Sequence, residues 1–175
     1  MTQDLAHTAV LVAWQTGNAA EVETALSAWF TSSREPPVEY WVQRVYTDAC
    51  LERYTLANSV RSAENAARRL GDEVALARIA ASVIDALYSD WRPSREARKW
   101  LDVLRDVAFA RLLTLPASYR LEIAAGILAA DLFGEALSTA KQVAESVATW
   151  VNEAAEVSAL LLRWQQRGGV DRWGN

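Results

Sequence analysis

GDEVALARIAASVIDALYS, residues 71–89, is the stretch on which the fold turns. Gly71 is a helix stop and Asp72 a helix cap, and the apolar residues that follow leave no alternation of the kind a half-buried strand needs. A helix this apolar on nearly every side belongs in the middle of a helical stack. Its internal polar positions, Arg78, Ser82, Asp85 and Ser89, recur at i, i+4, i+7 and i+11 and form one narrow stripe.

Working outward from it, helical signals come in pairs. A first helix over about 4–16 stops at Gly17-Asn18, and a second over 20–32 places Val22, Leu26 and Trp29/Phe30 on one face. Pro36-Pro37 opens a third over 38–54, and a fourth over 57–70 ends at Gly71. Pro93 starts a sixth, with Ala97, Trp100/Leu101, Leu104 and Val107/Ala108 as its buried stripe. Pro116 opens a seventh over 117–133, followed by an eighth over 135–149 and a ninth over 151–166 that stops at Gly168-Gly169. The reading is all-α, about nine helices in one domain over 1–168, with a loose tail over 169–175. The pairs begin near residues 4, 37, 72 and 117, a spacing expected of helical-hairpin repeats in a tetratricopeptide-like α-solenoid. Tyr88, Ala97, Leu101 and Leu104 fit the aromatic, small and large positions of such a repeat.

Composition excludes several function classes. A net charge of −4 supplies no field toward nucleic acid. One cysteine, Cys50, rules out an intrachain disulfide, and one histidine, His7, leaves little for a metal site or a triad. Cys50 reads as a buried thiol among Tyr46, Ala49 and Tyr54. No run approaches a membrane span, and residues 1–17 lack the basic segment of a signal peptide, so a cytoplasmic location is expected. No catalytic, metal or cofactor motif is present, and the chain reads as a non-enzyme without a cofactor.

Candidate contact residues follow from the same pattern. First helices of tetratricopeptide hairpins line the concave groove, so the stripe Arg78, Ser82 and Asp85 either faces a ligand or forms an internal network, with Arg44 and Arg120 flanking it. Most of the 8 tryptophans fall where helices meet, each indole N–H needing a partner. Trp91, in a connection, is a candidate exposed anchor. The ninth helix shows Leu161 and Trp164 with no helix after it, a surface for a partner or a second copy. These features describe a non-catalytic, regulatory protein-interaction scaffold that binds a protein partner through the concave groove or the C-terminal helix face; a sensor of a small molecule or peptide effector is the alternative.

From about Pro37 to Arg172 the chain resembles the helical-repeat sensor arm of bacterial signal-transduction ATPases with numerous domains, the class of the maltose-regulon activator. Carrying the resemblance are Gly71–Trp91, the Trp100-Leu101 pair within REARKWLDVLRDV, the stretch Leu115–Ala130, and Val151–Gly169. The family's phosphate-binding loop GxxxxGK[ST] and its basic helix-turn-helix are missing. The resemblance therefore implies bacterial signalling by contact, through sensing or scaffolding, rather than ATP hydrolysis or DNA binding.

Overall fold

A computed structural model describes residues 3–51, 54–88, 95–132 and 139–150. Among them the chain is all-helical, with no strand. It divides into two compact units, Met1–Ile79 and Ala80–Asn175.

In the first unit, α1 (Gln3–Thr16) packs on α2 (Ala19–Ser32), and α3 (Val38–Cys50) on α4 (Leu56–Leu70). The turn between α1 and α2 exists because Gly17 takes φ +68°, where a side chain is strained, and the Asn18 side chain accepts from the Ala20 N–H at 3.0 Å. α4 ends the same way. Gly71 sits at φ +65°, and the N–H of Asp72 reaches back to the Ala67 carbonyl at 2.9 Å. Asp72 then caps α5 (Glu73–Tyr88), accepting from the Ala75 N–H at 2.9 Å. The core of the first hairpin is Ala6, Val10, Ala13, Val22, Leu26 and Trp29, closed by Tyr40 of α3. Each large member contributes about 1.5–3 kcal/mol by leaving water.

The third helix is shorter than the 38–54 expected, ending at Cys50. The reason is Asp48. Its carboxylate accepts from the hydroxyls of Thr55, at 3.0 Å, and Ser59, so the chain turns back on itself instead of continuing. Cys50 is half-buried.

The boundary between the units falls within α5, which is buried without interruption from Ala77 to Ile84, as an all-round apolar helix should be. The second unit continues with α6 (Arg95–Arg105), α7 (Phe109–Leu113), α8 (Ala117–Leu132) and α9 (Ala140–Trp150). Trp100, Leu101 and Leu104 are buried as expected, but Ala108 is exposed and Val107 half-buried, because α6 stops at Arg105. The short α7, which the periodicity does not anticipate, restarts the chain and buries Leu112. α6, α7 and α9 all pack on α8. The expected ninth helix over 151–166 and the tail lie outside the described residues. No described helix is long and apolar enough to cross a membrane.

Candidate functional site

α3 is amphipathic in an unusual sense: Gln43, Thr47 and Asp48 are buried beside its apolar Val42, Val45 and Ala49. Buried polar groups persist only when bonded, and two networks organised by this helix satisfy them.

The first centres on Glu39. Arg78, only 2% exposed, donates through Nη1 to Glu39 Oε2 at 2.6 Å and through Nη2 to Oε1 at 3.0 Å, a bidentate fork. Gln43 Nε2 donates to the same Oε1 at 3.2 Å, one turn along α3. His7 of α1 brings Nε2 to 3.3 Å from that oxygen while its ring stacks on Trp29, centroids 5.6 Å apart. Burial works against the charge on Glu39, but the Arg78 guanidinium outweighs it, helped by Gln43 and His7, and holds the carboxyl below its usual value. A carboxylate so stabilised and so fully occupied is a poor base. It ties α1, α3 and α5 together.

The second network centres on Asp48, which is fully buried. Arg44, one turn earlier, places Nη2 at 3.1 Å from Asp48 Oδ1 and donates through Nη1 to Glu23 of α2 at 2.7 Å. Burial disfavours the Arg44 charge, yet Glu23 and Asp48 together raise its pKa. Tyr40 is pushed up, chiefly by burial, with Arg44 opposing. Ser59 and Thr55 complete the acceptor side of Asp48. Replacing Ser59 with alanine is expected to cost about 1.5–3 kcal/mol, the range for a hydrogen bond to a charged group. Urea denaturation checks this, and the helix content of the native state should not change.

The candidates read from sequence are placed as follows. Arg44 and Arg78 both belong to the α3 networks of the first unit. Ser82 is buried in the second unit. Asp85 lies on α5, its side chain outside the described ones, and Trp91, Leu161 and Trp164 are outside the described residues altogether. Arg120 is 8% exposed, its guanidinium 5.1 Å from the centroid of Trp150, whose other neighbour is Phe109 at 6.0 Å. A desolvated cation–π contact of this kind contributes about 2 kcal/mol.

The partners that sequence reasoning missed are Glu39, Asp48 and His7. One signal pointed to the first: an arginine inside a helix apolar on all sides requires a carboxylate. One expectation fails outright. The indole N–H groups of Trp14, Trp29 and Trp100 are buried without a hydrogen-bond acceptor among the described residues. Their rings are held by packing, Trp29 between His7 and the edge of Tyr40.

On the surface, Tyr54 is 97% exposed in the turn between α3 and α4, beside the Thr55 that bonds Asp48. Among the described residues no group of three or more His, Cys, Asp or Glu is placed to hold a metal ion. Compared with protein-family models, curated proteins and solved structures, the chain matches none.

Proposed function

We propose that this protein is a non-catalytic interaction scaffold, a solenoid-like stack of helical hairpins that takes a protein partner. The observation that carries this reading is Tyr54. Tyrosine is among the side chains that dominate binding energies, and here it projects almost wholly into solvent beside Thr55, whose hydroxyl bonds the buried Asp48. With only two side-chain torsions, tyrosine offers a large contact area at low entropic cost. The interior supports the same reading, since the carboxylates of Glu39 and Asp48 are committed to holding helices. Of the α5 positions read from the sequence, Arg78 and Ser82 are buried, so Asp85 alone stands as a second contact position in this proposal.

The test is affinity capture from the native host's lysate with wild type, Tyr54→Ala and Asp85→Arg, followed by titration of the purified partner. A stoichiometric protein partner weakened at least about tenfold by Tyr54→Ala, a loss of about 1.4 kcal/mol typical of an anchor residue, supports the scaffold reading and locates the site. Loss with Asp85→Arg alone moves the site to Asp85. An empty capture with folded wild type overturns the scaffold reading in favour of an effector sensor.

A further inference from the structure

We draw no further inference here: the strongest candidate, the apolar surface patch that α1 turns to solvent at Leu5 and Val12, is an unpartnered helix face, and nothing in the structure shows what covers it.

Discussion

Glu39→Ala is expected to lower the stability of the first unit by about 3 kcal/mol, the low end of the range for removing one partner of a buried ion pair. The low end applies because Glu39 keeps 16% exposure and water can partly reach the site, whereas Arg78 keeps only 2%. The cost arises less from lost attraction than from what remains: a guanidinium deprived of its bidentate carboxylate in a helix buried on all sides. That reasoning separates this variant from Glu39→Leu combined with Arg78→Met. The double change removes both charges and keeps the volume, so it should recover most of the loss. Urea denaturation of the single and double variants measures the coupling directly. A double variant no more stable than Glu39→Ala would show that Gln43 and His7, not Arg78, make the carboxylate necessary.

The same pair sets an acid limit. Glu39 has a folded-state pKa below its ordinary 4.5. Its contribution is therefore complete above that value and disappears as pH falls through the lowered folded-state pKa, where protonation breaks the fork. Thermal melts between about pH 7 and about pH 3 should show wild type losing stability in acid more steeply than Glu39→Gln, which has no proton to gain there. Parallel curves for the two proteins would assign the acid sensitivity to other carboxylates.

The helical architecture was open to reading because its punctuation is local. Gly17, Gly71 and Asp72 act through their own backbone or their nearest neighbours, so the stops around α1, α4 and α5 fall where those residues stand. Arg78 was visible as a problem, a charge amid apolar residues, but its solution is 39 positions away on another helix, and no spacing rule connects the two. Asp48 was less visible still. It occupies a position on the buried stripe of α3 where periodicity alone calls for an apolar residue, and its reason is the pair of hydroxyls beyond the turn. Missing it made α3 too long. The break at Arg105 and the short α7 were hidden for a different reason: neither glycine nor proline marks them, and Val107 and Ala108 continue the helical pattern of α6 past the point where the chain leaves it. The exposure of Leu5 and Val12 on α1 was not legible either, because exposed leucine and valine on a helix look like core in one dimension. Only the exposures of Leu5 and Val12 distinguish them from Ala6 and Val10, their buried neighbours.

Gly126→Ala is expected to destabilise the second unit by about 2–3 kcal/mol, against the direction that helix propensity alone dictates. Gly126 lies in the interior of α8, where alanine is ordinarily the better residue by about 0.5–1 kcal/mol. The site forbids it sterically. A Cβ at Gly126 would lie 2.4 Å from the Cα and 2.5 Å from the Cβ of Ala81 on α5, so α8 and α5 approach closely enough to touch through backbone. Backbone cannot rotate away as a flexible side chain can, and the helices must separate, loosening buried neighbours such as Ile84 and Ile127. Overpacking of this kind typically costs about 1–3 kcal/mol. Because the clash involves the Cα as much as the Cβ, Ala81→Gly should rescue the variant only in part, with glycine's own helix penalty added at the second site. Thermal and urea unfolding of Gly126→Ala, Ala81→Gly and the pair distinguish the cases. Full rescue would place the contact at the Cβ alone, and a stabilised Gly126→Ala would show that α5 and α8 lie farther apart than this packing requires.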